Sequence, residues 1–164
     1  MESLDSGIGL LVTVSERVPR KDTVAFLETA REKNARVIGP NTLGLISPDR
    51  IKLGMAGGPV KDVKKAYMPG RIGIASRSGG MTTEIANLLT THGIGQSTCI
   101  GIGGDPIVGA NFLDLVPEFV KDPETDAVVL FSEPGGIIEE KLAEWYVAKE
   151  VKLPVIVFIA GKFV

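Results

Sequence analysis

The sequence predicts an α/β fold built on a parallel sheet. Short apolar segments rich in Val and Ile alternate with segments of helical periodicity along most of the 164 residues. The apolar segments run without polar alternation, which is typical of parallel strands covered on both faces. With 44% hydrophobic and 23% charged residues, the composition is that of a globular chain that can bury a core.

Six segments are predicted as strands and four as helices. The predicted strands are 9–14, 35–40, 71–76, 97–102, 127–132 and 154–161, and the predicted helices are 22–33, 81–93, 111–119 and 137–150. Asn111 and Asp114 are spaced as in a capping box, and Asp22 stands where the first helix would be capped. The alternation favours parallel strands joined by helical crossovers.

The alternation divides the chain into two units. Residues 41–70 contain three prolines and five glycines and have no clear period, so we predict a connector with room for a small hairpin. The second unit, 71–164, has four strand–helix steps and is expected to form a small doubly wound domain. The first unit, 1–40, is too short to bury a core alone. We therefore expect the chain to be an internal part of a longer protein.

Charge and composition argue against several classes of protein. The net charge of −2 and the pI near 5.5 do not favour nucleic acid or an anionic membrane as a partner. No apolar run approaches the roughly 18 residues of a membrane span, and the N-terminus lacks the pattern of a signal peptide. Cys99, the single cysteine, lies in an apolar strand and is expected to be buried. We expect a cytoplasmic protein, or one of the mitochondrial matrix in a eukaryote.

The corner formed by Ser78, Gly79 and Gly80 lies where a predicted strand passes into a predicted helix, and three interpretations fit it. It is a tight capped turn, an anion site at a helix start, or a catalytic serine on a strained elbow. The elbow needs a histidine, and His92, the only one, lies about 20 Å away at the other end of the same helix. Plain capping and anion binding both remain open.

Two further glycine-rich loops follow predicted strands. Residues 101–112 contain Asp105, and residues 132–140 contain Glu133. In an open α/β sheet, ligands bind at the carboxyl ends of the strands. These loops therefore favour a ligand site at the edge that also carries the corner.

Six segments of the sequence resemble the α subunit of the succinate–CoA ligases (succinyl-CoA synthetases). Related ADP-forming acyl-CoA synthetases and ATP-dependent citrate lyases share this module. The segments are GLLVTVSERVPRKD, VIGPNTLGLISP, GRIGIASRSGGMTTEIA, GIGQSTCIGIGGDPIVGANFLD, KDPETDAVVLFSEPGG and PVIVFIAGK. The resemblance implies that 1–40 is the end of a CoA-binding Rossmann domain and that 71–164 is a flavodoxin-like domain.

The resemblance also implies an activity. Such enzymes interconvert succinyl-CoA, phosphate and a nucleoside diphosphate with succinate, CoA and the triphosphate, through a phosphohistidine on the α subunit. By resemblance, Ser78, Gly79 and Gly80 receive the phosphoryl group, and Glu133 hydrogen-bonds the histidine ring. CoA is a substrate, and ATP or GTP with Mg²⁺ is bound by a β subunit with an ATP-grasp domain. Neither nucleic acid nor a membrane is implied as a partner.

Five further positions match the CoA and acyl side of the family's site. Val14, Ser15 and Glu16 match the segment that contacts CoA, and Asn41 matches the loop that borders the thioester. Thr83 stands where the family often has a tyrosine near the substrate carboxylate.

Other positions depart from the family pattern. Asn41 is followed by Thr42-Leu43-Gly44 instead of Cys-Pro-Gly, which is closer to the acyl-CoA synthetase relatives. The family's glycine-rich CoA loop should precede residue 1, and its phosphohistidine loop should follow residue 164. His92 matches a non-catalytic position. We expect the chain to be inactive alone. The alternatives are a non-catalytic ligase-like module that binds a β-type partner or phosphate, another NDP-forming acyl-CoA synthetase, and a CoA-binding or regulatory protein without ligase chemistry.

Overall fold

The computed structural model describes residues 2–135 and 137–161, which contain eight strands and six helices. In chain order these are α1 Glu2–Asp5, β1 Leu10–Val12, α2 Arg20–Glu32, β2 Arg36–Ile38, β3 Gly44–Ser47, β4 Ile51–Gly54, α3 Val60–Ala66, β5 Pro69–Ser76, α4 Gly79–Thr91, β6 Gln96–Gly101, α5 Phe112–Lys121, β7 Ala127–Ser132, α6 Ile138–Ala148 and β8 Val155–Ile159.

The larger sheet confirms the α/β prediction. Its order is β4-β3-β6-β5-β7-β8, and the four strands β6, β5, β7 and β8 are parallel. Numbered among themselves, these four strands stand in the order 2-1-3-4, which is the start of the flavodoxin-like order. The strand order reverses between β5 and β7, so the fold places its topological switch point there.

The segment 41–70 contains more structure than the predicted connector. β3 and β4 form the hairpin, and β3 pairs with β6 antiparallel, so the hairpin extends the larger sheet. Gly44 has φ +95°, and a Cβ added there would lie 2.0 Å from the Leu53 carbonyl oxygen. Gly44, one of the glycines that suggested a connector, is therefore needed by the hairpin. The pattern also missed α3, and the division of the chain into domains stays a prediction.

A second sheet has two parallel strands, β1 and β2, packed with α1 and α2. Leu4, Ala30 and Val37 form its small core. This sheet packs against the part of the chain that follows β6. Ile38 belongs to the core beneath α5, and a Cβ added at Gly109 would lie 2.4 Å from the Val37 carbonyl oxygen.

Helices cover the two faces of the larger sheet. Phe112, Val116 and Leu130 lie in the core on the α5–α6 side, and Ile74 and Cys99 lie in the core on the α3–α4 side. Cys99 is fully buried, as predicted, and burial raises the pKa of its thiol.

Two local predictions about the elements are wrong. Asp22 lies inside α2, whose N-cap is Pro19 without a side-chain cap. By contrast, the capping box of Asn111 and Asp114 at the start of α5 is present as predicted. The second wrong prediction concerns β8. β8 is not covered on both faces, since Ile156 and its three successors are exposed. In the described part of the chain, no helix is long and apolar enough to cross a membrane.

Candidate functional site

The corner at residues 78–80 is held by short-range hydrogen bonds. Ser78 is the N-cap of α4, and its hydroxyl oxygen accepts the Met81 N–H at 3.4 Å. The buried Ser76 hydroxyl accepts the Ser78 N–H at 3.0 Å and donates to the Ser78 carbonyl oxygen at 2.7 Å. That carbonyl also accepts the Thr82 hydroxyl at 2.8 Å. The direction of the first turn of α4 is therefore fixed by side chains beneath it.

The amides of Gly79 and Gly80 begin α4. Within residues 2–135 and 137–161, the hydrogen bonds at the corner use the N–H groups of Ser78 and Met81 but not those of Gly79 and Gly80. Gly80 is exposed, and a Cβ added there would meet nothing within 4 Å. Oriented amides at the positive end of a helix dipole can bind an anion. Capping and anion binding are therefore compatible at this corner, because the Ser78 side chain uses the Met81 amide and leaves those of Gly79 and Gly80.

Glu133 lies on the loop of the neighbouring strand. Ser76 of β5 pairs with Phe131 of β7, and the Arg77 N–H donates to the Phe131 carbonyl oxygen at 3.0 Å. Ser78 and Glu133 each come two residues after this pair, so both leave the sheet at the switch point. Glu133 is exposed. The Ser132 hydroxyl donates to Glu139 at the start of α6, which ties the end of β7 to that helix.

The predicted CoA-contacting residues lie beyond the ends of β1 and β2. Val14 is half-buried, and Ser15 and Glu16 are exposed. The Asn41 N–H donates to the Ser15 carbonyl oxygen at 2.9 Å, so the structure brings these two loops together. Asn41 has φ +56°, a left-handed conformation that asparagine tolerates better than most residues.

Thr83 lies in α4, one helical turn after Gly79. Its hydroxyl forms a 2.9 Å hydrogen bond with the hydroxyl of Tyr67, the residue that ends α3. Tyr67 is buried, which raises its pKa to about 12. The Thr83 hydroxyl is therefore hydrogen-bonded to the residue that follows the last residue of α3.

Sequence reasoning left two residues of this region out of the predicted site. The Arg77 Nη2 donates to the Asp105 carbonyl oxygen at 3.2 Å, and the Asp105 carboxylate accepts the Asn41 side-chain amide at 2.8 Å. Arg77 precedes the corner, and Asp105 follows a glycine pair after β6. The position of each residue next to a predicted loop could be read from the sequence, but the contact between them could not.

His92 lies at the far end of α4 from the corner. It is the C-cap residue of that helix, and its Nδ1 lies 2.8 Å from the Leu88 carbonyl oxygen. The sequence-based exclusion of a Ser78–His92 pair is confirmed.

Comparisons with known proteins by sequence point to one family. The family model described as CoA-ligase matches residues 75–164. The α subunit of the ADP-forming succinate–CoA ligase of Aquifex aeolicus is 44% identical over 163 residues, which are 98% of this chain and 51% of the relative. The α subunit 1 of the Archaeoglobus fulgidus enzyme is 42% identical over 161 residues, which are 98% of this chain and 53% of the relative. The chain thus spans about half the length of the curated relatives it matches.

Solved structures share the fold. ATP citrate lyase from Methanothrix soehngenii, in complex with citrate and coenzyme A, aligns with a TM-score of 0.90 and 28% identity, over 99% of this chain and 27% of that one. A dinucleotide-forming acetyl-coenzyme A synthetase from Ca. Korarchaeum cryptofilum aligns with a TM-score of 0.79 and 22% identity, over 97% and 34%. Since the family model covers more than half of its residues, the chain belongs to the CoA-ligase family.

Proposed function

We propose that this chain is the phosphoryl-receiving and CoA-facing part of the α subunit of an NDP-forming succinate–CoA ligase. The observation that carries the proposal is the pair of amides at Gly79 and Gly80, which make no hydrogen bond within the described residues and begin α4 at the switch point of the larger sheet. The enzyme would interconvert succinyl-CoA, phosphate and a nucleoside diphosphate with succinate, CoA and the triphosphate. The relatives of 44% and 42% identity, both α subunits of ADP-forming succinate–CoA ligases, support this reaction class.

In this proposal the corner binds a phosphoryl group carried by a histidine. A doubly negative phosphoryl group would accept the Gly79 and Gly80 N–H groups and lie at the positive end of α4. Glu133, on the adjacent loop, would accept a ring N–H of that histidine and stabilise its charged form. His92 is at the wrong end of α4, so the phosphorylated histidine would come from a segment outside these residues.

The CoA side of the proposed site is formed by the loops after β1 and β2. Val14, Ser15 and Glu16 would contact CoA, which is a substrate, and Asn41 would border its thioester. A β subunit with an ATP-grasp domain would bind ATP or GTP with Mg²⁺. Thr83 would donate its hydroxyl to the substrate carboxylate while accepting the hydroxyl of Tyr67.

An acyl acid other than succinate is the second candidate. Thr42 and Leu43 replace the family's usual Cys-Pro, and Leu43 packs 3.4 Å from the position of a Cβ at Gly79. The thioester side therefore differs directly beside the corner. The ATP citrate lyase with a TM-score of 0.90 supports this alternative, because that protein binds citrate.

The phosphate corner is tested by two substitutions at Gly79, the first residue of α4. Gly79→Pro removes the N–H, yet proline suits a first helical position, and Ser78 before it is already extended at φ −98° and ψ 124°. Gly79→Ala keeps the N–H. In the complete protein assembled with its nucleotide-binding subunit, we expect Gly79→Pro to lower phosphoenzyme formation and acyl-CoA synthesis by about tenfold to a hundredfold.

The alanine variant is the matched control and should keep near-normal activity. Urea unfolding of both variants checks that α4 is intact. Equal activity of the proline and wild-type proteins would show that the Gly79 amide does not bind the phosphoryl group. Assays with succinate, citrate and acetate decide the acyl acid, and a wild-type protein inactive with all three favours a non-catalytic module.

A further inference from the structure

A continuous series of hydrogen bonds joins the loops after four strands, with Asn41 and Asp105 at its centre. The Asn41 N–H donates to the Ser15 carbonyl oxygen at 2.9 Å, beyond β1. The Asn41 side-chain amide donates to the Asp105 carboxylate at 2.8 Å, beyond β6. The Arg77 guanidinium donates to the Asp105 carbonyl oxygen at 3.2 Å, beyond β5. The thioester-side loops are thereby connected to the residue that precedes the corner.

The two central loops are also in backbone contact. The Gly104 N–H donates to the Asn41 carbonyl oxygen at 3.3 Å. Gly103 has φ +116°, and a Cβ added there would lie 2.2 Å from the Pro40 carbonyl oxygen. Asn41 itself is held at φ +56°. The bond between Asn41 and Asp105 therefore joins side chains across two loops that are already in backbone contact, where a small change in either side chain is felt by both.

The other end of the series is anchored at the switch point. The Arg77 N–H donates to the Phe131 carbonyl oxygen at 3.0 Å. Its Nε is buried and has no hydrogen-bond partner in the part of the chain that the structure describes. The contact with Asp105 is thus the one hydrogen bond of the Arg77 side chain among those residues. A shift of the Asp105 loop would release a guanidinium directly beside the corner.

We infer that Asp105 is a positioning residue that sets the distance between the thioester-side loop at Asn41 and the phosphate corner at residues 78–80. Its carboxylate holds Asn41 and its carbonyl holds Arg77. The reaction requires the acyl group, CoA and the phosphoryl group to be held at reacting distance from one another. A misplacement of about 1 Å can lower the rate by about a hundredfold. This inference rests on the proposed function.

The test exchanges the polarity of the central hydrogen bond. Asn41→Asp places two carboxylates face to face, and aspartate tolerates the left-handed conformation that the position requires. Asp105→Asn keeps an amide oxygen that can accept from Asn41. The double variant Asn41→Asp with Asp105→Asn restores one charged hydrogen bond with donor and acceptor exchanged. Asp105→Ala removes the acceptor without adding a charge.

The measurements use the complete protein assembled with its nucleotide-binding subunit. We expect Asn41→Asp and Asp105→Ala to lower kcat/KM for CoA by about tenfold or more, while KM for the nucleoside triphosphate stays unchanged. Asp105→Asn should be milder. The double variant should recover most of the loss of Asn41→Asp, because a second substitution improves a first one only where the two side chains interact. A general loss of folding would lower activity with both substrates alike, so it would not produce a lower kcat/KM for CoA at an unchanged KM for the nucleoside triphosphate.

Glu144→Ala is the control for the loss of one negative charge, since Glu144 is exposed on α6. Thermal unfolding is recorded for every variant, and Asp105→Ala replaces Asn41→Asp if the latter does not fold. A double variant no better than Asn41→Asp, or an Asp105→Ala protein equal to Glu144→Ala, overturns the inference while leaving the proposed function in place. A wild-type protein that neither forms acyl-CoA nor binds CoA in a calorimetric titration overturns both.

Discussion

Two titratable side chains, those of Tyr67 and Cys99, are buried on the α3–α4 face of the larger sheet. Tyr67 and Cys99 belong to the same core, and burial raises the pKa of both, to about 12 for Tyr67. In the unfolded chain both groups ionise at lower pH. The folded protein therefore holds protons that the unfolded chain releases in alkaline solution.

The free energy of unfolding should consequently fall as the pH rises above about 9. The contribution of the two groups is complete below their unfolded pKa values and is lost as the pH rises towards their folded values. Tyr67→Phe removes one of these groups, so its stability should fall less steeply above pH ~10. At pH 8 it should be about 1 kcal/mol less stable, because the bond to Thr83 is lost. Urea unfolding from pH 8 to 11 measures both effects, and parallel curves for the two proteins would contradict the assignment to Tyr67.

At the same scale, the sequence indicated single residues better than their contacts. Ser78 as a cap, Cys99 as a buried residue and the capping box at Asn111 are local patterns, and all three are confirmed. The contact between Asn41 and Asp105 joins residues 64 positions apart. No local pattern predicts this contact, because the order of the strands in the sheet decides which loops meet.

At the scale of elements, periodic segments were predicted to within a few residues, whereas the glycine-rich segment 41–70 was predicted only as a connector with room for a small hairpin, without bounds for its strands. β3 and β4 have four residues each and begin or end in glycine, so their pattern is that of a turn. α3 has seven residues, too few to show a helical period. The hairpin lies beside the site, since a Cβ added at Gly79 would lie 3.4 Å from the side chain of Leu43, just before β3.

The glycine at the start of β3 provides a test of this hairpin. Gly44→Ala requires φ near +95° and places a Cβ 2.0 Å from the Leu53 carbonyl oxygen. We expect it to destabilise the protein by about 2 kcal/mol or more in urea unfolding. Gly80→Ala is the control, because that position has open space and lies in a helix, where alanine is favoured by about 0.5–1 kcal/mol. Equal stability of the two variants would mean that β3 and β4 do not pair as described.

For the whole molecule, the two edges of the larger sheet differ. One edge is the hairpin strand β4, and the other edge, in the part of the chain that the structure describes, is β8. The relative exposure of Ile156, Val157, Phe158 and Ile159 is 53%, 46%, 58% and 48%. The continuous apolar pattern of this strand predicted burial on both faces. The pattern gave the strand correctly, but its covering depends on neighbours that a strand's own sequence does not specify.

An apolar strand at a sheet edge offers unpaired backbone groups and apolar side chains to another chain. We therefore expect the 164-residue chain to self-associate through β8, with a sedimentation coefficient that rises with protein concentration. Ile156→Lys should suppress this association, because a charge on an edge strand must be desolvated when another strand pairs with it. Val147→Lys is the matched control, since Val147 is 75% exposed on α6 and lies outside the strand. A wild-type chain that sediments as a monomer at every concentration, or equal suppression by both lysines, would rule out β8 as the associating edge.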